Sequence, residues 1–329
     1  SLLHHLVDLP AIRTGRAHDL LETRDDIEHH CIRFGRRERR QALRTARALL
    51  SGVDSTAGLL RLDYEGFRDI GWGVLSSAVS MRRDSTIAHP RDRALLSRLL
   101  AASILVYDET RRLIRQLQPD TVLLFNGRFA TTRPVMRAAE ATGTPWLIHE
   151  RGCDKDHYWV GDSLPHDVDR LQERMRAAWR PELADAGHAF FRGRRERVER
   201  QWHSFTKHQC QGKLPQAMRE GEWVTFFGSS DDEMVAISDQ LRNPDFPTQF
   251  DAIRSVAEAL RDIPGLGLCI RVHPHVARKS RADRRRWERL DIPGALIIGP
   301  GEDVDSYAVI ERSRVVCTYG STVGIEATY

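Results

Sequence analysis

The chain has no stretch of about 20 consecutive apolar residues, so nothing in it reads as a membrane-spanning helix. Its N-terminus lacks the basic, apolar and small-residue regions of a secretory signal. The first residue is Ser1, and the expectation is that native residues precede it. Cysteine is sparse: five residues, at 31, 153, 210, 269 and 317, with no C-x-x-C pair. An odd, unpatterned set argues against a disulfide framework and for a reducing compartment, so a cytoplasmic location is expected. No Cys/His spacing of a structural zinc site is present. An excess of one charge is also lacking. Fifty Lys and Arg face 46 Asp and Glu, a net of +4, which does not suggest a nucleic-acid binder. Internal repeats and low-complexity tracts are absent.

What is present is an ordinary globular composition, 41% hydrophobic and 29% charged over 329 residues. That length accommodates two domains, each with its own core. Residues 10–118 read mainly as helix. The clearest helix runs from Arg91 to Leu117, with leucines and Ile104 at three- and four-residue spacings, and Pro119 marks its end. The period then changes. Thr121–Phe125 reads as a buried strand, Arg133–Thr142 as a helix closed by Gly143, and Pro145–His149 as a second strand, together one parallel βαβ unit. Residues 151–215 are polar and helical and read as a connection. A second alternation follows: strand 222–228, helix 248–261 opened by the capping pattern Thr248-x-x-Asp251, strand 266–272, strand 295–298, helix 306–312 and strand 314–318. The fold class expected is α/β, with two Rossmann-like domains, 1–215 and 216–329, a cleft between them and helical additions at the N-terminus. Two segments, 33–47 and 281–289, are locally basic. They read as solvated helix faces or as surfaces for anionic lipid head groups or an anionic glycan.

The chemistry gathers at strand ends. The apolar run Val315–Cys317 meets Tyr319-Gly320-Ser321-Thr322, and a helix is expected from Val323. Gly320 and Gly324 allow close backbone approach, and Ser321 and Thr322 can cap the helix or hold phosphate at its N-terminus. Glu326, one turn further, is positioned for ribose hydroxyls. The other reading is an ordinary capped strand-to-helix turn. Strand 266–272 ends in Arg271, His273, Pro274 and His275, with Lys279 just beyond, so cations and hydrogen-bonding groups converge at a second strand end. The spacing of the two motifs suggests neighbouring parallel strands that share one crevice. His273 and His275 form an H-x-H pair, but the intervening Pro274 and the lack of a nearby Cys or carboxylate weigh against a metal site. Ser229 and Ser230, followed by Asp231-Asp232-Glu233, either cap the next helix or line the donor side; Asp231-Asp232 lacks Asp-x-Asp spacing. In the first half, Asn126, Gly127 and Arg128 follow one strand and His149, Glu150, Arg151, Gly152 and Asp154 the next. Asp154, Glu150 and His149 are candidates for a general base, with Asp154 favoured because Gly152 lets its loop turn inward. Arg128 and Arg151 suit an acidic sugar or acceptor, or an ion pair with Glu150.

The strand end Arg271-Val-His273-Pro274 followed by Ser321-Thr322-x-Gly324-x-Glu326-Ala327 resembles the C-terminal half of GT-B glycosyltransferases of bacterial surface polysaccharide. It is most similar to the Kdo-transferase type of capsule and lipopolysaccharide synthesis, and to the related polyol-phosphate transferases. Phe226-Phe-Gly-Ser-Ser-Asp-Asp-Glu233 looks like the opening of that half. The likeness spans roughly 222–329; before that it is limited to Phe125-Asn-Gly-Arg128 and His149-Glu-Arg-Gly152. It implies His273 near the donor phosphate, Gly320, Ser321 and Thr322 on phosphate, and Glu326 on ribose. It implies a nucleotide-sugar donor, CMP-Kdo among them, a glycan or glycolipid acceptor, work at the inner membrane surface, and no metal or other cofactor. Alternatives are a CDP-polyol phosphotransferase, a sugar-nucleotide epimerase, or a non-catalytic component of a polysaccharide assembly. In this family the chain continues past the Glu-Ala turn into a further strand and closing helices, so a truncated C-terminal domain is expected here.

Overall fold

The computed structural model describes residues 32–87, 91–152, 156–198 and 206–329. The chain divides into two compact units. The first holds the described residues up to Met81, with Ile87–Arg151 and Tyr158–Asp167; the second holds Val168–Tyr329, with Arg82–Thr86 and Gly152–His157. The boundary therefore falls at 167/168 rather than at the expected 215/216. Hydrogen bonds explain the shift. Cys210 donates its N–H to the Asp303 carbonyl at 2.7 Å, Gly212 donates to the Asp305 carboxylate at 2.7 Å, and Arg194 pairs with Glu326 at 2.7 Å. The part of the expected connection from residue 168 onward thus belongs to the C-terminal unit, while 158–167 belongs to the first.

Among the described residues the first unit begins with four helices: α1 (Arg36–Ser51), α2 (Thr56–Leu60), α3 (Ile70–Arg82) and α4 (Arg93–Leu117). On α1, Ala42, Ala46 and Leu50 recur every four residues and are buried, so its arginines form the solvated face. Helix α4 follows the leucine spacing and stops at Gln118, which takes the left-handed conformation at φ 45°. Strand β1 (Val122–Phe125), helix α5 (Arg133–Ala141) and strand β2 (Trp146–Arg151) form the parallel βαβ unit expected from the change of period. A strand the sequence reading omits, β3 (Tyr158–Gly161), returns antiparallel to β2 and completes the order β1-β2-β3. It hid because it is four residues long and leaves Tyr158 67% and Val160 54% exposed. Leu124, Ile148, Val106, Val135 and Met136 form the core beneath the sheet.

The second unit opens with helices α6 (Val168–Ala178) and α7 (Leu183–Arg195), neither of which buries a residue. There follow β4 (Glu222–Phe227), a single turn α8 (Asp231–Met234), α9 (Gln249–Leu260), β5 (Leu266–Arg271), α10 (Arg281–Glu288), β6 (Leu296–Ile298), α11 (Ser306–Arg312), β7 (Ser313–Thr318) and α12 (Val323–Thr328). All four strands are parallel, in the order β6-β5-β4-β7. The expectation that β5 and β7 are neighbours is corrected: β4 lies between them. Side chains alternate across the central strand. Phe226 joins Phe250, Ile253, Ile270 and Trp287 on one face, and Phe227 joins Met218, Cys269, Ile298 and Val309 on the other. A strand buried on both faces reads as a continuous apolar run, which is why this one was visible in sequence. Each of these fully buried large side chains contributes about 1.5–3 kcal/mol. Thr248 caps α9 by accepting the Asp251 N–H at 3.2 Å, as its spacing indicated. Among the described residues no helix is long and apolar enough to cross a membrane.

Candidate functional site

Parallel strands bring their C-terminal ends to one edge. In the second unit the strand order reverses between β4 and β7, because the chain runs from β4 outward through β5 and β6, then returns to the other side of β4. Loops leaving the two strands diverge there, and open α/β sheets bind ligands at that position. The β7 loop is Tyr319–Thr322, with Gly320 at φ 65°, a left-handed conformation that favours glycine. The Val323 N–H donates to Ser321 Oγ at 3.3 Å. Thr322 stands at the N-cap with helical backbone and no side-chain cap bond, and α12 is only six residues long. Gly324 packs on Thr318, whose Oγ1 would lie 3.1 Å from an added Cβ. The Glu326 carboxylate pairs with Arg194 and lies beside Tyr307, whose phenol burial and the Glu326 charge push up to about 12.

The β4 loop is held by a residue that sequence reading passed over. Gln249, the first residue of α9, accepts the Ser229 N–H at 3.0 Å and donates to the Ser229 carbonyl at 3.3 Å and to Asp231. Ser229 is 4% exposed, and its Oγ is buried without a hydrogen-bond partner. Ser230 Oγ donates to Asp232 at 2.9 Å, and Lys279 pairs with the same carboxylate. Lys279 is therefore committed to Asp232, tying the β5 loop to the β4 loop, rather than standing as an open cation. Arg271, 2% exposed, donates to the carbonyls of Gly299 at 2.6 Å and Glu302 at 3.2 Å. It organises the loop after β6. Both cations had been expected to face phosphate, but a buried charge needs a partner, and these found theirs within the fold.

His273 is set differently. Its Nδ1 accepts the His275 N–H at 3.1 Å, capping the short turn Pro274–Arg278. Burial, then the positive neighbours His275, Lys279 and Arg271, hold its imidazole at about 4, so the ring is neutral at pH 7. A neutral ring accepting at Nδ1 carries its proton on Nε2, and His273 is thus a hydrogen-bond donor through that atom. Nearby, burial pushes the Asp283 carboxyl up to about 6 against the attraction of Arg286; Asp231, Asp84 and Asp232 add to the rise. An unfolded aspartate titrates near about 3.9. The folded state therefore keeps a proton that the unfolded state has lost, and the contribution of Asp283 to stability falls as pH rises across that window before levelling out. Asp283→Asn should remove this contribution, so the melting temperature of the wild type relative to the variant should fall as pH rises from 4 to 6 and stay level from 6 to 8, whatever slope the buried histidines add to both proteins.

In the first unit, Asn126 and Gly127 follow β1 with φ of 58° and 77°. A Cβ on Gly127 would lie 2.7 Å from Ile148 Cδ1, so only glycine fits there. Asn126 donates to one oxygen of Glu150, whose other oxygen accepts the Arg151 N–H at 2.8 Å. Arg128 donates its N–H to Asn126 Oδ1 at 3.3 Å, and its guanidinium lies 4.6 Å from the Phe129 ring centre. The loop is anchored below, where Ala130 binds Ser77 Oγ through its N–H and Ser103 Oγ through its carbonyl. Glu150 is thus held by Asn126 rather than by Arg128. His149 lies on the same strand, 5.6 Å from the Phe125 ring and 6.2 Å from Tyr158. Asp154 lies outside the described residues. His166, which follows Pro165 without any motif to flag it, joins this group. Burial, then the Arg128 charge, holds it at about 4.

Asp-x-Asp spacings do occur, at 154–156, 167–169 and 303–305. In the last, Asp303 binds Lys213 and Cys210, while Asp305 caps α11 through the Tyr307 N–H and pairs with Arg197. Among the described residues no three His, Cys, Asp or Glu side chains are grouped to hold a metal ion.

No protein-family model and no curated protein matches the chain. Among solved structures, the S. aureus MnaA–UDP co-structure is similar at 16% identity and a TM-score of 0.26, over 67% of this chain and 58% of that one. A "putative UDP-N-acetylglucosamine 2-epimerase" from Listeria monocytogenes is similar at 13% identity and a TM-score of 0.27, over 70% of this chain and 59% of that one. The chain thus spans less than two thirds of either protein. Its α/β class stands on its own two sheets, the second wholly parallel.

Proposed function

We propose that the chain is a glycosyltransferase that moves a sugar from a nucleotide-activated donor to a surface-glycan or glycolipid acceptor. The observation that carries this reading is the reversal of strand order at β4/β7, flanked by the loops of Ser229–Ser230 and Gly320–Thr322. The donor's diphosphate or monophosphate lies against these loops, and Ser229 Oγ, left without a partner inside the fold, is one donor toward it. His273 Nε2–H supplies a neutral donor for charge developing on the leaving phosphate. Glu326, oriented by Arg194, takes the ribose hydroxyls. CMP-Kdo is the donor that the sequence likeness favours. Asn126, Arg128, His149, Glu150 and Arg151 serve the acceptor, and Asp154 or Glu150 receives the hydroxyl proton.

Lys279 and Arg271 reach phosphate only indirectly, by holding the loops that carry the direct contacts. No divalent metal enters the mechanism. The test is turnover of CMP-, CDP- and UDP-linked sugars with and without a glycan acceptor, in EDTA. Acceptor-dependent release of nucleotide that survives EDTA supports transfer. Sugar isomerisation without nucleotide release would assign the chain to epimerases, and activity restored only by magnesium or manganese would refute the metal-free mechanism.

A further inference from the structure

We infer that Ser163 and His166, in the turn that follows β3, form a subsite for the hydroxyl groups of an uncharged sugar. The subsite lies wholly within the first unit. It deepens the transfer reading by naming the acceptor as a neutral glycan, and it rests on that reading only for the sugar's role as acceptor.

Two polar atoms carry it. Ser163 is 6% exposed, and its Oγ is buried without a hydrogen-bond partner. Three residues on, His166 Nδ1 is buried and equally unpartnered. Native folds leave few such groups, because each loses its water and gains nothing in return. The adjoining polar groups are satisfied by contrast: Asn126 donates to Glu150, and its Oδ1 accepts the Arg128 N–H at 3.3 Å. The backbone under the pair is also fixed. Asp167 donates its N–H to the Leu164 carbonyl at 3.0 Å and closes the turn. Leu164 packs on the core of the sheet and on Gly127, where an added Cβ would lie 2.8 Å from its Cδ2.

The chemistry of the pair selects the ligand. A serine hydroxyl donates and accepts, and a neutral imidazole donates through one nitrogen and accepts through the other. Burial, then the Arg128 charge, keeps His166 neutral at pH 7. The Glu150 charge acts on the same ring with the opposite sign, and Arg133 is paired with Asp69 at 2.6 Å. The surroundings therefore favour no ion of either sign. A carboxylate only accepts and an ammonium only donates, whereas a hydroxyl does both and suits either tautomer of the ring. Glu150 spends two of its roughly four acceptor positions on Asn126 and the Arg151 N–H, which leaves it capacity for a second hydroxyl. A sugar ring, with hydroxyls on adjacent carbons, supplies both.

The experiment is a magnetic-resonance titration of the full chain carrying isotope-labelled histidine. The probes are the methyl glycosides of glucose, galactose, mannose and N-acetylglucosamine, with methyl glucuronide and glycerol beside them. The His166 ring signal is the one missing from His166→Gln. At least one neutral glycoside should shift that signal to saturation with a Kd of ~1–10 mM. Methyl glucuronide and glycerol should bind ~10-fold more weakly or less. Ser163→Ala should weaken the glycoside ~5–10-fold without lowering the melting temperature, since its hydroxyl has no partner inside the fold to lose. The inference is overturned if no neutral glycoside moves the signal, or if methyl glucuronide or glycerol binds as well as the best of them. It is also overturned if Ser163→Ala keeps full affinity or melts clearly lower. The titration needs neither nucleotide nor turnover. Binding without transfer refutes the transfer reading and leaves the subsite; transfer whose acceptor KM is unchanged in Ser163→Ala refutes the subsite and leaves the reading.

Discussion

Replacing His273 with alanine is expected to lower turnover by ~10²–10³-fold while the protein stays folded. The imidazole does two things at once. Through Nδ1 it accepts the His275 N–H and caps the turn at Pro274. In the proposed mechanism its Nε2–H is the donor to the leaving phosphate, from a ring that burial keeps neutral at pH 7. Losing the cap costs about 1 kcal/mol of stability, whereas losing the donor falls on the transition state. His273→Asn separates the two, because asparagine also caps. It should restore the melting temperature and leave turnover low. A His273→Ala protein with normal turnover would reduce this residue to a structural cap. Since the folded ring is already neutral at pH 7, the rate should show no inflection from His273 between pH 6 and pH 8.

Lys279→Ala is expected to destabilise the protein by ~3–5 kcal/mol, the cost of stranding a buried charge. The side chains of Lys279 and Asp232 are 7% and 11% exposed, and the pair joins the loops of β5 and β4. Without the ammonium, Asp232 keeps only the Ser230 hydroxyl among its identified donors. Removing both charges as Lys279→Met/Asp232→Asn should recover most of the loss, because no unpaired ion is then left inside. Urea denaturation measures both. A single variant that loses less than ~1 kcal/mol would mean that the pair is solvated and weak.

These outcomes turn on contacts that sequence periodicity does not carry. The strands at 222–227, 266–271 and 313–318 were legible because each holds a short apolar cluster, Phe226-Phe227 beside Val224, Leu268-Cys269-Ile270 and Val315-Val316-Cys317, and Thr248-x-x-Asp251 announced its helix. The order of the strands was not legible. Parallel pairing is decided by crossovers, and nothing local says that β4 lies between β5 and β7. Gln249 reads as an ordinary first helical residue, and only the fold brings its amide to Ser229. Arg271 and Lys279 looked like open cations because a sequence shows charge but not burial. β3 escaped notice because its exposed Tyr158 and Val160 leave no apolar stripe. His166 escaped because its neighbours Arg128 and Glu150 are distant in sequence.

A nucleotide is expected to bind where the order of the second sheet reverses. Calorimetric titration of the full chain with CMP, CDP and UDP tests it most directly, with Glu326→Gln and Arg194→Gln alongside. One of the nucleotides should bind, and Glu326→Gln should weaken it by about 1–3 kcal/mol through loss of a charge-assisted hydrogen bond. Arg194→Gln loses the same ion pair but keeps the carboxylate, and should retain most of the affinity. No binding heat from any nucleotide, or the same affinity in Glu326→Gln as in the wild type, would contradict the assignment.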